Sequence, residues 1–346
     1  MSSSLFQAAK TASRHVQTRA YSTPRHLMSI ADLSPKEFAR LVLNAAEHKK
    51  AFKAGTASER IKSSLNGPAV ALMFSKRSTR TRVSTESAVS MMGGHPMFLG
   101  KDDIQLGVNE SLRDTSTVIS SMTSCMVARV GPHSDVTGLA EHSSVPVINA
   151  LSADFHPLQT IADFLTIHEA FPASNLSEGS LGLEGRKVAW IGDSNNVLFD
   201  LAIGCFKMGV DIAVASPKGY GIPDRMRSLI LSSGSNSKLI ETTVPEDAIK
   251  DADILVTDTW VSMGQEEEAK KRLQAFEGYQ ITHDLAKRGG AKADWKFMHC
   301  LPRHPEEVAD EVFYDDRSLV FQEAENRLWA AIAALEGFVV NKGNIV

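Results

Sequence analysis

Short apolar runs alternate with stretches of helical periodicity along most of the chain, and this alternation predicts the fold. In the first half the runs occupy residues 69–74, 96–99, 125–130 and 145–150. In the second half they occupy residues 187–192, 212–215, 238–240, 254–257 and 296–299. Runs of this length are typical of buried strands. Strands that alternate with helices indicate parallel sheets.

The intervals between the strands carry helix signals. Ser34, Pro35 and Glu37 form a capping box with proline at the first helical position. Apolar residues follow at helical spacing, and Gly55 ends that pattern. Further helices are predicted over residues 83–92, 110–122, 156–171 and 323–340.

The chain has 346 residues, which predicts two domains, each with its own core. Residues 172–186 are rich in Pro, Gly, Ser and Asn and read as a connection. We therefore predict an α/β fold with two doubly wound parallel-sheet domains and an interdomain active-site cleft. The first domain spans residues 26–170 and is completed by the C-terminal helix 323–340, and the second spans residues 171–322.

The first thirty residues differ from the rest, because they carry Lys10, Arg14, Arg19 and Arg25 but no acid before Asp32. They also lack a long apolar segment. This composition is typical of a mitochondrial transit peptide and not of a secretory signal. We predict a leader over residues 1–25, cleaved after a site such as Tyr21, and a protein of the mitochondrial matrix. A disordered tail is the alternative.

Bulk composition excludes several classes of protein. The chain is 43% hydrophobic and 23% charged, with a net charge of -4, so neither a nucleic-acid surface nor a membrane span is expected. Three cysteines, Cys125, Cys205 and Cys300, are too few for a disulfide framework. We expect each of them to be reduced and buried.

The most concentrated polar stretch, residues 75–82, directly follows the first strand and contains four basic and four hydroxyl residues. A strand, a polar turn and a helix start aim backbone N–H groups at one spot. The hydroxyls of Ser78, Thr79 and Thr81 and the Arg80 fork would add donors for a phosphate or similar oxyanion. The glycines of a P-loop are absent. A solvated basic turn with a Ser/Thr cap remains the alternative.

Other unusual polar residues also follow predicted strands, where ligands bind in open α/β sheets. Each of these residues, taken alone, has a purely structural explanation, such as a helix cap or a buried thiol. Together they suggest one interdomain cleft. His299, Cys300 and His304 match no standard zinc spacing, and no glycine fingerprint for a dinucleotide follows Gly192. The strand-end groups are Ser78 to Thr81, Arg129, His156 with Gln159, Asp193 to Asn196, Asp258 to Gly264, and Cys300 to Arg303.

Three of these motifs, in this order, resemble those of the carbamoyltransferase family: residues 78–82 (Ser-Thr-Arg-Thr-Arg), 156–159 (His-Pro-Leu-Gln) and 299–303 (His-Cys-Leu-Pro-Arg). Residues 258–264, with their Ser-Met-Gly loop, resemble the ornithine branch of that family. The resemblance covers essentially the whole chain after the leader. It implies carbamoyl phosphate and L-ornithine as substrates, citrulline and phosphate as products, and a step of arginine biosynthesis or the urea cycle. It implies no metal and no organic cofactor.

The same resemblance implies roles for individual residues. The phosphate would be held by Ser78, Thr79, Arg80, Thr81 and Arg129. Thr81, Arg129 and His156 would lie near the carbonyl oxygen. The carbamoyl end would be lined by Gln159, Cys300, Leu301 and Arg327, and Gln105 would reach in from the neighbouring subunit of a homotrimer. Ornithine would be held by Asn196, Asp258, Ser262 and Met263.

The chemistry explains why such residues are needed. Negative charge builds on the carbonyl oxygen and on the departing phosphate, so fixed donors are the expected catalyst, with His156 as one of them. The attacking amine must lose a proton. Cys300 is a candidate proton acceptor if its pKa is lowered, and the phosphate dianion is another. Residues 262–264 would form a lid, and residues 258–268 contain no Lys or Arg to bind a second carboxylate.

Three alternatives stay open at this stage. The amine substrate could instead be putrescine or an acylated ornithine. The chain could be a relative that binds a partner without catalysis, although it retains residues of both half-sites. A nicotinamide-dependent oxidoreductase is allowed by the fold alone, and the missing glycine fingerprint weighs against it.

Overall fold

The computed structural model describes residues 23–104, 110–173, 177, 179–234, 236–261 and 266–345. Two parallel sheets form its framework. The first has the order β2-β1-β3-β4, with every neighbouring pair parallel. Its strands are β1 Ala69–Phe74, β2 Pro96–Gly100, β3 Thr123–Arg129 and β4 Val147–Leu151. Its helices are α1 Pro35–Lys53, α2 Glu59–Lys62, α3 Thr79–Met91, α4 Leu112–Met122, α5 His133–Glu141 and α6 Pro157–Ala170.

The second sheet has the order β7-β6-β5-β8-β9 and is also parallel throughout. Its strands are β5 Lys187–Ile191, β6 Asp211–Ala215, β7 Leu239–Thr242, β8 Ile254–Thr257 and β9 Lys296–His299. The helices of this part are α7 Asn196–Lys207, α8 Asp224–Ser232, α9 Pro245–Ile249, α10 Ala269–Ala275, α11 His283–Gly289 and α12 Asp310–Phe313, and α13 Val320–Leu335 follows them in the chain. None of the helices in the described ranges is long and apolar enough to cross a membrane.

Apolar burial joins the two sheets into one structure. The largest cluster of buried side chains contains Phe38 and Phe164 beside the first sheet, Trp190 in β5 and Ile332 in α13. Phe38 and Phe164 meet edge to face, with ring centroids 5.0 Å apart. The last long helix, α13, packs on α1, α3 and α6 and so returns the chain to the first sheet.

The predicted strands and the α/β class are confirmed, and most bounds agree within two residues. The capping box at Ser34 is present, and all three cysteines are free, with Cys125 and Cys205 buried and Cys300 partly exposed. Two helices differ from prediction. The helix after β1 begins at Thr79 and not at residue 83, because the Ser78 hydroxyl caps it. The last helix ends at Leu335 and continues as a π-helical turn over Glu336–Val340.

Most of the predicted leader lies outside the described residues. Arg25, its last residue, is nonetheless part of the fold. Its guanidinium pairs with Glu37 of α1 at 2.5 Å and donates to the carbonyl of Gly343 at 2.9 Å. Arg25 is therefore held against both α1 and the C-terminal segment that contains Gly343.

Asp200, on α7, ties three distant segments together. Its carboxyl is fully buried and accepts hydrogen bonds from the Ser29 hydroxyl (2.7 Å), the Ile30 N–H (2.9 Å) and the His156 N–H (2.8 Å). The start of the folded chain and the residue before α6 are thus fixed to the second sheet's first helix. Burial raises the pKa of this carboxyl to about 7.

Gly204 permits the close approach of α7 to α6. A Cβ at this position would lie 2.6 Å from Phe164 Cε2 and 3.1 Å from Thr160 Cγ2. We expect Gly204→Ala to lower the free energy of unfolding by about 1–3 kcal/mol, because the helices must separate. Gly221→Ala is the matched control, since a Cβ there meets open space, and should stay within about 0.5 kcal/mol of the parent in urea unfolding. Equal losses for both variants would contradict this packing.

Asp200 also makes stability depend on pH. Its folded-state pKa, about 7, lies above the ordinary aspartate value, so the folded chain binds this proton more tightly than the unfolded chain. Stability from this group therefore falls as pH rises from about 5 to 8, and Asp163 and Asp193, whose pKa values burial raises to about 7 and about 6, act in the same direction. We expect Asp200→Asn to be destabilising, but by about 2–3 kcal/mol less at pH 8 than at pH 5. A destabilisation that is independent of pH would refute the assignment.

Candidate active site

The polar turn after β1 becomes the first turn of α3. Ser78 is the N-cap, and its hydroxyl accepts from the Thr81 N–H at 3.3 Å. β1 lies between β2 and β3, so this helix start sits at the carboxyl edge of the sheet. Thr79, Arg80 and Thr81 are the first three helical residues, and the backbone N–H groups of this first turn are directed toward the same edge.

Three arginines gather at this helix start. Arg129 ends β3, Arg327 comes from α13, and Arg80 belongs to α3. Burial, together with the neighbouring charges of Arg327 and Arg80, lowers the pKa of Arg129 to about 10. Burial also lowers the pKa of Arg327 to about 10, with Arg80 again acting against its charge. The three guanidinium groups therefore lie close enough to repel one another.

No carboxylate in the described part of the chain forms a salt bridge with any of the three arginines. Their hydrogen bonds go to neutral acceptors instead. Arg80 donates to the Leu301 carbonyl at 2.5 Å, and Arg327 donates to the Gln159 amide oxygen and, at 3.2 Å, to the Thr81 hydroxyl. The Nε atoms of Arg129 and Arg327 are buried with no hydrogen-bond partner among the described residues. The arrangement is a concentrated, uncompensated positive site suited to an anion of more than one charge.

His156 lies between β4 and α6, beside these arginines. Its side chain is buried, and its Nδ1 has no partner among the described residues. Burial and the charges of Arg327, Arg129 and Arg80 lower its pKa well below the usual value. The imidazole is therefore neutral, with one N–H to donate, and it is a poor base.

Asp258 and Cys300 face this cluster from the second sheet. The Cys300 thiol donates to Asp258 Oδ1 at 3.1 Å, and Asn195 Nδ2 donates to Asp258 Oδ2 at 2.7 Å. Burial, followed by the charges of Asp258 and Glu323, raises the pKa of Cys300 well above its usual value. In this structure the thiol is thus a hydrogen-bond donor, whereas a proton acceptor would need a lowered pKa.

The Glu307 carboxyl supports the turn that follows β9 through two histidines. His299 Nδ1 accepts from the Leu301 N–H at 2.9 Å, and His299 Nε2 lies 3.0 Å from Glu307. His304 Nδ1 lies 2.8 Å from the same carboxyl. Both ring nitrogens of His299 are therefore used to shape the turn that carries Cys300 and the Leu301 carbonyl.

Among the described residues, Asp258, His299 and Cys300 form one group whose ligand atoms lie within 4.8 Å of one another, close enough to hold a metal ion. Here the group is internally bonded. Cys300 donates to Asp258, and His299 Nδ1 accepts from a backbone N–H. A metal would have to replace these bonds.

The remaining predicted residues divide into two sets. Asn196 begins α7, and its Nδ2 donates to the Ser152 carbonyl at 2.6 Å, so it faces the loop that follows β4. Asn195, which precedes it, is the N-cap of α7. Gln105, Ser262 and Met263 lie outside the described residues. The structure therefore brings together Ser78 to Thr81, Arg129, His156, Gln159, Asp258, Cys300, Leu301 and Arg327, and says nothing of the other three.

Several residues around the site escaped the sequence reading. Asp163 and Glu323 lie behind Gln159, Glu307 lies behind His299, and Arg272 donates to both the Trp260 carbonyl and Asp193. A usable signal was the placement of Asp163 between Ile161-Ala162 and Phe164-Leu165, an apolar setting in which a buried carboxyl is costly without partners. No comparable signal marks Glu307 or Arg272, because acids and bases are common in loops and short helices.

Comparison with known proteins agrees with this geometry. The family model for the carbamoyl-P binding domain of aspartate/ornithine carbamoyltransferase matches residues 25–169, and the model for its Asp/Orn binding domain matches residues 184–337. The mitochondrial ornithine carbamoyltransferase of Emericella nidulans is 70% identical over 326 residues, which cover 93% of this chain and 91% of that protein.

Two solved structures are similar in fold and sequence. The crystal structure of a mitochondrial ornithine carbamoyltransferase from Coccidioides immitis has 66% identity and a TM-score of 0.88, covering 94% of this chain and 100% of that one. The ornithine carbamoyltransferase from Pyrococcus furiosus has 39% identity and a TM-score of 0.82, covering 92% and 98%. Matches of this length and identity leave one conclusion: the chain belongs to the aspartate/ornithine carbamoyltransferase family.

Proposed function

We propose that this chain transfers the carbamoyl group of carbamoyl phosphate to the δ-amine of L-ornithine, giving L-citrulline and phosphate. The observation that carries the proposal is the cluster of Arg80, Arg129 and Arg327, which forms no salt bridge with a described carboxylate and faces Asp258 and Cys300. A doubly charged phosphate on one side and an amine on the other suit these two walls. The relatives named above carry the same activity in their names, and those from Emericella nidulans and Coccidioides immitis are named as mitochondrial, which agrees with the predicted leader.

The phosphate lies at the start of α3 in this proposal. Ser78, Thr79, Arg80 and Thr81 supply hydroxyl, guanidinium and backbone donors, and Arg129 supplies a second guanidinium, which is buried. These groups are fixed before the substrate arrives, so they need little rearrangement as charge moves onto the departing phosphate. The Nε of Arg129 is a buried donor for which no described residue supplies an acceptor.

The carbonyl oxygen lies near Thr81, Arg129 and His156. The backbone N–H of His156 donates to Asp200 and holds the residue in place. Its neutral imidazole then donates to the carbonyl oxygen instead of accepting a proton. Gln159, Cys300, the Leu301 carbonyl and Arg327 surround the carbamoyl end, with Gln105 added by a neighbouring subunit. Removal of one donor to a developing oxyanion costs roughly 10²–10³ in rate.

Ornithine occupies the opposite wall, between Asn196, Asp258, Ser262 and Met263. Its δ-amine resembles lysine, with a reference pKa of about 10.4, so the reaction must dispose of a proton. The high pKa of the Cys300 thiol favours the phosphate dianion as the acceptor, with Cys300 and Asp258 holding the amine. No metal or organic cofactor has a part in this scheme.

A homotrimer is part of the proposal, since Gln105 would complete a neighbour's site. The edge strand β2 and the helices α3 and α4 support it, because they expose Met97, Val83, Val118 and Met122. We expect light scattering of the mature protein to give three times the mass of one chain. A folded, active monomer would refute the shared site.

The division of the cleft predicts two kinds of kinetic defect. Arg80→Ala should raise the KM for carbamoyl phosphate and lower kcat/KM by about 10²–10³, because a donor to the phosphate is lost. Ser262→Ala should chiefly raise the KM for ornithine. Both are measured as citrulline formation by the mature chain.

Arg82→Ala is the matched control for Arg80→Ala. The Arg82 side chain is exposed, pairs with Glu86 at 3.0 Å and lies over the Phe98 ring, so it points away from the site. Its loss should leave kcat/KM within a few-fold of the parent. A rise only in the ornithine KM for both Arg80→Ala and Ser262→Ala would show that the division is wrong. A folded trimer that makes no citrulline from carbamoyl phosphate and ornithine would refute the proposed function.

Putrescine and acylated ornithine are the competing amines. Arg272 is the first arginine in the sequence after the predicted lid, residues 262–264. Its guanidinium already donates to the Trp260 carbonyl and to Asp193. Direct comparison of turnover with ornithine, putrescine and an acylated ornithine decides among them.

A further inference from the structure

Gln159 rests on two buried carboxyl groups that the reaction above does not use. Its Nε2 donates to Asp163 Oδ1 at 2.7 Å and to Glu323 Oε1 at 2.9 Å. Its Oε1 accepts from Arg327. Both donors of the amide thus point away from the arginine cluster, and its oxygen points toward it. All three contacts select the same orientation of an otherwise two-fold group.

The two carboxyl groups accept from the same nitrogen, Gln159 Nε2, so they lie side by side. Asp163, on α6, is 3% exposed, and Glu323, on α13, is 2% exposed. Burial raises the pKa of Asp163 to about 7 and that of Glu323 well above its usual value, while their mutual hydrogen bond favours ionised Asp163 and protonated Glu323. Two buried carboxyls that share one donor nitrogen resist ionising together, and we infer that the pair holds one proton and one negative charge.

The surroundings of the pair fix this state. The positive charge of Arg327 faces the pair and favours one negative charge on it. Asp258, in the loop after β8, opposes a second negative charge on the pair. Glu323 Oε2 accepts from the His299 N–H at 2.9 Å, so the same carboxyl also anchors the residue before Cys300. The pair therefore touches both walls of the cleft without reaching the proposed substrate position.

We propose that Asp163 and Glu323 are positioning residues that make the site select a carbamoyl group over other acyl groups, by turning the Gln159 oxygen toward the acyl substituent. This inference rests on the proposed function, in which Gln159 lines the carbamoyl end. A carbamoyl group carries an NH2 that donates to that oxygen. An acetyl group carries a methyl, which leaves the oxygen unpaired. A reversed amide would set NH2 against NH2 and erase the distinction.

The two carboxyls differ in what an amide can replace. Asp163 accepts one bond and shares the proton with its other oxygen, so Asp163→Asn can keep both contacts and leave one charge on Glu323. Glu323 accepts from Gln159 and from His299 with different oxygens. Glu323→Gln has one oxygen and must lose one of these acceptors. Asp163→Asn is therefore the conservative variant and Glu323→Gln the disruptive one.

The experiment measures selectivity in citrulline formation, as the KM for carbamoyl phosphate against the inhibition constant of acetyl phosphate. We expect Glu323→Gln to reduce the preference for carbamoyl phosphate by about tenfold to hundredfold, and Asp163→Asn to retain most of it. A merely structural defect would weaken both ligands in parallel. That outcome, or an unchanged preference in Glu323→Gln, would overturn the inference, and an equal loss in Asp163→Asn would overturn the placement of the shared proton.

A double-mutant cycle shows whether the pair acts through Gln159. Gln159→Leu alone should lose the same preference, and Glu323→Gln added to it should change the preference no further. Additive losses would mean that Glu323 acts by another route. If the parent protein forms no citrulline, the proposed function is refuted. If the parent forms citrulline and the variants keep its selectivity, only the present inference is refuted.

Discussion

Uncompensated positive charge is the constraint on which the rest of this structure depends. Arg129 and Arg327 are buried beside Arg80, and their guanidinium groups meet carbonyl, amide and hydroxyl oxygens where carboxylates would usually stand. Burying charges without opposite charges is costly, and the remainder of the fold must offset that cost. In the proposed function a phosphate relieves this cost, so the feature that is costly for folding would give the proposed substrate its affinity.

The negative charges near this cluster are held one layer back. Asp258 is occupied by Asn195, Cys300 and the Thr259 N–H, and Asp163 shares a proton with Glu323. A carboxylate in direct contact with the arginines would neutralise the anion site. Placed one layer back, these groups shape the positions of Gln159 and of the turn after β9 and leave the arginines available.

Helix α6 connects the parts of the site. It starts beside His156, carries Gln159 on its first turn and Asp163 on the next, and packs on α13 and, through Gly204, on α7. Asp200 holds the residue before the helix, and Arg327 holds Gln159 from the side. A shift of this one helix would therefore move the imidazole and the amide together.

Local signals in the sequence determined much of the protein. Strand lengths, the capping box at Ser34 and the polar groups at strand ends predicted two parallel-sheet halves and the convergence of Arg80, Arg129, His156 and Cys300, because period and strand-end position are local properties. Gln159 belonged to the same strand-end groups, and the family resemblance then added Arg327. The start of α3 was placed four residues late, since apolar periodicity begins after the cap that sets the helix boundary.

Only the tertiary structure decided which charges are paired and which are not. Asp163 and Glu323 are 160 residues apart in the chain, and Ser29 and Asp200 are separated by 171. Nothing in the local sequence marks either pair as partners. The pKa of Cys300 likewise depends on burial and on Asp258, which the sequence places 42 positions away. Ionisation states follow from desolvation and from neighbours in space, and both exist only once the chain has folded.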